Sequence, residues 1–452
     1  MNRLKQLKKA ARFMMIALCA TLVFACDKEP ESSIIESGTE GNLSWRITAD
    51  GTLTISGTGE IPYMVPWWEF RSTITTVVIE SGITSITQSA FSGCNNLTDV
   101  TIPNSITSIG GYAFSGCSAL ATVNFNAVNC SDMGGIGSQM GTSYIFSAFE
   151  GCSNVTNVKV GNEVKTIPAF AFTGFSGLTS ITIPDSVTSI GRYAFFGCSG
   201  LTELIIPNSV TSIGDIAFYG CSGLTGTLTI PNSVVYIGNS AFSGCSGLTS
   251  VTIPHSVGSI GNYTFLGCSR LTSINVDAAN SAYISDNGVL FNKEKTLFIQ
   301  YPENKTGFYT IPDSVRIIEG SAFAGCSGLT GVTIGNSVTS IGNAAFGGCS
   351  GLTSVTIGNS VASIGYWAFG NCTSLTSVTI PNSVVAIEWF AFNYCIGLTE
   401  IINQRTTPQV IDETVFEDVN KTAITLRVPA ASADAYKVAT GWKDFRNIVA
   451  IE

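Results

Sequence analysis

Apolar residues recur along most of this chain in one fixed order: L-x-x-V-x-I, then V-x-x-I, then A-F and a Cys. The order closes every 23 residues, as Cys94 to Cys117, Phe175 to Cys198, Cys198 to Cys221 and the run Cys326, Cys349, Cys372, Cys395 show. A fixed step of this length predicts a solenoid, whose units bury their apolar positions only by stacking on their neighbours. The first segment sets Leu, Val and Ile on the buried side of a short strand. P-N-S or G-N-S then turns the chain, V-x-x-I begins a second buried row, and A-F with the Cys closes the coil. The Phe position occurs twelve times, from Phe91 to Phe392. Twelve coils at ~4.8 Å each predict a parallel stack roughly 55–60 Å long.

The step breaks twice. Cys117 and Cys152 lie 35 apart, and the excess, about residues 119–141, holds the Gly-rich M-G-G-I-G-S-Q-M-G. Cys268 and Cys326 lie 58 apart. Here the excess, about residues 275–310, contains D-N-G-V-L-F-N, which predicts a hairpin protruding from the stack. Insertions in a solenoid map to one face, often the binding face. Before the repeats, residues 42–82 alternate as strands about Asp50-Gly51 and predict a β cap over the first coil. The repeats fill residues 83–402. Beyond them, residues 403–452 include A-S-A-D-A-Y-K-V-A-T-G-W, which predicts a short amphipathic helix covering the last coil. Ser432 is its expected N-cap and Gly441 lies past its end.

Composition agrees with this reading: 12% charged residues and 47 Gly suit uncharged strands and tight turns rather than long helices. Residues 1–25 read as an export signal, with Arg3, Lys5, Lys8, Lys9 and Arg12 ahead of an apolar run too short to span a membrane comfortably. Small Ala25 before Cys26 looks like a lipobox, which predicts cleavage there and lipid on Cys26; the alternative is an ordinary signal with an incidental Cys. Lipid would anchor the chain rather than make it span. Residues 26–41 are polar and acidic and read as a flexible tether. Removing residues 1–25 takes away five of the 22 basic residues and none of the 31 acidic ones, so net charge falls from −9 to −14. No basic footprint for nucleic acid remains, nor a polybasic membrane patch.

The S-I-G-x-x-A-F-x-G-C-x-x-L unit resembles that of the BspA-like leucine-rich-repeat family of bacterial cell-surface proteins. So do the D-G-T-L-T-I-S-G-T-G leader, the D-N-G-V-L-F-N-K segment and the V-P-A-x-S-x-x-A-Y-K-x-A-x-G-W-K-D-F tail, over roughly residues 42–450. The resemblance implies a β-rich leucine-rich-repeat solenoid of parallel strands. It also implies a non-catalytic exported binder whose partners are host or bacterial surface proteins. The acidic residues after Cys26 resemble the surface-export signal of Bacteroides-type lipoproteins, which implies anchoring at the outer membrane with exposure at the cell surface.

Chemistry is sparse. The repeated Cys reads as a buried thiol ladder, because side chains on stacked parallel coils point the same way and Phe175 fills one of the positions. Cys130, in the first insertion, is expected to be accessible. The one histidine, His255, stands where sister coils have Asn or Asp, so neither a Ser/His nucleophile pair nor a His metal site can be assembled. Asp412, Glu413, Glu417 and Asp418 read as a solvated face, with calcium as the alternative. No catalytic, metal or cofactor site is predicted.

Aromatic residues give one signal. The two positions before A-F read as mostly small or polar: Gln88-Ser89, Asn239-Ser240, Asn343-Ala344. In two adjacent coils they become Tyr366-Trp367 and Trp389-Phe390, with Tyr394 close by, so these rings are expected to form one patch. Such a patch grips a protein or a sugar face, the latter making the chain a polysaccharide-capturing accessory. Alternatively it seats the C-terminal cap around Trp442. The Thr and Ser of the strands (Thr353, Ser354, Thr376, Ser377) form an uncharged ladder, which is either a broad contact face or no site at all.

Overall fold

The computed structural model describes residues 34–139 and 142–451. Cys26 and the export signal lie outside them. The chain winds as a parallel coil with three sides. The first is a ladder of strands such as Ser354–Thr356 and Ser377–Ile380, paired Ser354 to Ser377 and Val355 to Val378, one repeat apart. The second is a ladder of two-residue strands, Ser340–Ile341 beside Ser363–Ile364. The third is the turn x-x-A-F-x-G-C, bonded from coil to coil: Phe195 N–H donates to Ala217 O and Phe346 N–H to Ala368 O, both at 2.7 Å. Register is pinned because a one-residue slip would carry Leu, Val and Ile to the solvent side.

The repeated positions have partners in the neighbouring coils. The Phe rings form a column, with Phe323 and Phe346 centred 4.6 Å apart and Phe346 and Phe369 5.0 Å apart. Most of the repeated Cys thiols donate to the Phe carbonyl one coil back, Cys349 to Phe323 O at 3.0 Å and Cys198 to Phe172 O at 3.1 Å. All twelve described cysteines are buried and free. Burial pushes the Cys198 and Cys268 thiols up to about 12, so these sulfurs stay protonated and inert. Phe175 replaces one of them because its ring wedges between Phe149 (5.4 Å) and Phe172 (5.9 Å). The strand Thr hydroxyls are also engaged: Thr353 donates to Thr330 O (2.8 Å) and Thr399 to Thr376 O (3.1 Å). The turn Ser does the same, Ser383 to Val361 O at 2.7 Å. The uncharged ladder therefore largely bonds to itself.

Four expectations need correction. The tether does not reach residue 41: Ile34–Glu40 is a strand, antiparallel to Leu43–Thr48, which in turn pairs with Thr52–Gly57. Gly38 permits this, since a Cβ there would fall 3.0 Å from the Trp45 indole. The second insertion does not protrude. It folds as Tyr283–Asp286, Val289–Asn292 and Leu297–Gln300, and Val289, Leu290 and Phe291 are fully buried. Three consecutive apolar residues make a strand covered on both faces.

Third, the expected short C-terminal helix is present, but Ser432 does not cap it. A single helical turn, Ala433–Tyr436, stands beside strands Thr425–Val428 and Asn447–Ala450, which extend the parallel sheet past Glu400–Asn403. Ser432 makes no cap bond and donates instead to Thr406 O at 2.7 Å. Fourth, Cys130 is buried rather than accessible. The ring column also outruns the repeats, with Trp67 stacked on Phe91 at 5.9 Å and Phe416 on Phe392 at 5.3 Å.

Candidate functional site

The turn side carries the residues that differ most between coils. The residue two before the Phe is left-handed in every coil but that of Phe149, from Ser89 (φ 60°) to Trp367 (φ 54°) and Phe390 (φ 59°). That conformation is unfavourable for residues other than glycine and persists only where the surroundings impose it. Bonds on either side do so: Trp367 N–H donates to Trp389 O (3.1 Å), and Trp367 O accepts from Gly370 N–H (3.0 Å).

The five aromatic residues picked out by spacing do share this side. Tyr366 is 47% exposed, Trp389 61% and Tyr394 52%. Trp367 and Phe390 are half-buried. Tyr366 meets Phe390 edge-on, with centroids 5.8 Å apart. Trp367 lies over Gly347 and Gly370, where a Cβ would fall 2.5 Å and 2.3 Å from its indole. Those are the two coils whose Phe is followed by Gly, so the small residues clear a seat for the indole. Tyr394 stands apart at the turn's Gly position, its N–H donating to Glu417 O at 3.0 Å.

The C-terminal cap does not sit on this patch. Trp442 is fully buried at the end of the ring column, 5.7 Å from Phe416, and its Nε1 donates to Gln409 O at 2.9 Å. The exposed rings are thus left uncovered by the chain's own cap.

Sequence reasoning missed a second run on the same side. Phe170 stacks on Tyr193 at 4.8 Å, Phe196 on Tyr219 at 5.3 Å, and the Arg192 guanidinium lies 5.3 Å over Phe170. Comparing the positions flanking A-F in every coil, rather than in three, reveals it. Between the two runs the same position is Ser240, Tyr263, Ser321 and Ala344.

Other candidates carry little. His255 is an exposed turn residue, its Nδ1 4.0 Å from Asp277. Asp412 accepts from Thr414 N–H at 2.9 Å and caps a short 3-10 turn; bonds from the Thr414 hydroxyl and N–H hold its carboxyl below the usual range. Among the described residues, no group of three His, Cys, Asp or Glu is placed to hold a metal. Among them, too, no helix is long and apolar enough to cross a membrane. On the strand side the ladder opens between Asn157–Val160 and Gly226–Thr229, where one bridge, Lys159 to Thr182, remains. A shallow groove of about 730 Å³ lies there.

Parallel coils of this step, with a Leu-Val-Ile strand and a buried ring column, define a leucine-rich-repeat solenoid. The chain belongs to the BspA-type leucine-rich-repeat family, whose repeat region matches residues 69–135, 142–227, 225–308 and 300–423. A solved leucine rich cell surface protein from Faecalibacterium prausnitzii A2-165 is 27% identical, covering 94% of this chain and 96% of its own, with a TM-score of 0.57. The pneumococcal vaccine antigen PcpA shares the fold at 18% identity and a TM-score of 0.53, over 93% of this chain and 99% of its own. No curated protein matches the chain.

Proposed function

We propose that the chain is a non-catalytic, surface-exposed protein-binding scaffold that grips its partner with the Tyr366, Trp389 and Tyr394 rings. One observation carries this reading. Most repeated polar groups are bonded between coils, whereas these large rings stand in solvent with nothing of the chain over them. Aromatic residues are the side chains most often found as energetic anchors in interfaces. The 27% identical relative described as a cell surface protein supports the location. We place the lipid anchor on Cys26, at the outer membrane, with surface proteins of the host or of other bacteria as partners. The broad Trp389 ring also favours a second reading, capture of polysaccharide by stacking on a sugar face.

Two measurements test this. The Cys26→Ser chain is expected to leave the membrane fraction and appear as soluble protein; retention in the membrane removes the lipid anchor from the proposal. The whole mature chain is then screened in parallel on arrays of matrix, plasma and bacterial surface proteins and of polysaccharides. A saturable protein partner is expected, weakened at least tenfold, about 1.4 kcal/mol, by Tyr366→Ala with Trp389→Ala and Tyr394→Ala. Glycan binding abolished by that variant establishes the second reading instead. Protein binding that survives it moves the site off the patch.

A further inference from the structure

The second insertion leaves an opening on the turn side that the chain itself does not fill. In a regular coil the column ring follows the second-row Ile by five positions, as Phe323 follows Ile318. Phe298 pairs with Ile318, and Tyr301 N–H donates to Ala322 O, so these residues hold the same places in the insertion's coil. There the ring follows by three positions, Phe298 to Tyr301. Two residues are missing, and the chain cuts straight across where its neighbours loop outward. A cavity of about 230 Å³ takes the place of the loop, lined by Asn262, Tyr263, Phe265, Gln300, Glu319 and Gly320 among others.

Its walls carry backbone groups built for a coil that is absent. One coil earlier, Ser240 N–H donates to Asn262 O (2.9 Å) and Phe242 N–H to Thr264 O (3.0 Å). The matching N–H groups of Tyr263 and Phe265 meet no acceptor among the described residues. Near the third N–H of that row, on Gly267, the insertion places the Glu303 carboxyl; the Gly267 N–H lowers its pKa while burial raises it more. On the opposite wall, Gly320 O meets no donor, although its counterpart Asn343 O accepts from Ser321 N–H at 2.8 Å.

Glu319 adds a charge. Gly fills this position in the regular coils at 191, 214, 238, 261 and 342, where a Cβ would fall 2.3–2.6 Å from backbone of the preceding coil. Glu319 lines the cavity instead; in the regular coil of Phe392 the same position is Glu388. Glu319 has no bonded partner for its carboxylate among the described residues, and burial raises its pKa. Tyr263 arches over the opening, its hydroxyl 3.6 Å from where a Cβ on Gly320 would lie.

We propose that this opening is a peptide slot, in which an extended segment of a partner protein lays two residues where the loop is missing. Its carbonyls accept from Tyr263 and Phe265, its N–H donates to Gly320 O, and a Lys or Arg side chain meets Glu319. The proposal rests on protein binding by this chain but not on the aromatic patch, which lies on different coils.

The probe is the capped peptide acetyl-Gly-Gly-Lys-Gly-Gly-amide at millimolar concentration, read by residue-resolved amide hydrogen exchange on the whole mature chain. It is expected to slow exchange at Tyr263 and Phe265 at least tenfold, whereas the same peptide with Glu in place of Lys leaves them unchanged. Glu319→Gln is expected to weaken the Lys peptide by about tenfold, as loss of a charge-assisted bond does. Gly320→Leu, which fills the slot, is expected to abolish the effect. The patch variant Trp389→Ala keeps it, which separates failure here from failure of the patch. Amides that exchange slowly without any peptide, or that respond equally to the Lys and Glu peptides or to neither, overturn the proposal.

Discussion

Phe346→Ala is expected to cost about 3–5 kcal/mol, the usual range for emptying a ring-sized site in a rigid core. The ring is fully buried and contacts both neighbours in the column, Phe323 at 4.6 Å and Phe369 at 5.0 Å. Neither coil can close the void by moving, because the backbone bonds that set their spacing pass beside it: Phe323 N–H donates to Ala345 O and Phe346 N–H to Ala368 O, both at 2.7 Å. In a one-dimensional stack the loss falls on two interfaces at once. Ser354→Ala, on the exposed strand side, is expected to change stability by no more than about 0.5 kcal/mol. Urea unfolding of the two variants against the parent makes the comparison. A Phe346→Ala chain within about 1 kcal/mol of the parent would show that the column fills space without bearing the stack.

The same column shows what could be read without coordinates. The step of 23 gives the coils, and one Phe in the Cys position reveals that the thiol site is apolar. The ends of the column were hidden, because Trp67, Phe416 and Trp442 keep the ring but drop the A-F-x-G-C that marks it. In the second insertion the turn signal was right: Asn287 (φ 51°) and Gly288 (φ 79°) form it. Where the hairpin goes was not, since local alternation says nothing of what covers the second face. Val289-Leu290-Phe291 did hold that information as an unbroken apolar run. That the aromatic residues share one side was legible because residues one step apart fall in adjacent coils; that Tyr366 meets Phe390 edge-on was not. The slot at Tyr263 was not legible, since a two-residue shortfall has meaning only once the pairing of Phe298 with Ile318 is known.

That pairing also marks where the molecule divides. Val289–Asn292 is a wall between two cores: Leu290 packs into the first, Val289 and Phe291 into the second. The strand ladder breaks at the same place, ending at Ser273–Val276 and resuming at Gly307–Thr310. So does the column. Phe242 and Phe265 pair at 6.1 Å, and the next contact along it is Tyr301 with Phe323 at 4.9 Å. When stability is a sum of neighbour terms, cooperativity fails first at the weakest interface. The chain is therefore expected to unfold in two steps, with Trp45 and Trp67 reporting the first unit and Trp442 the second. Phe298→Ala removes a buried ring packed on Phe291 and Phe323 in the second unit and is expected to take about 3–5 kcal/mol from that step alone. Hydrogen exchange during urea unfolding assigns each step to its residues. A single transition in which residues before 280 and after 300 lose protection together, shifted as one by Phe298→Ala, would mean that the short insertion coil couples the two cores despite the broken column. The slot left by its missing loop would then be no sign of a weak joint.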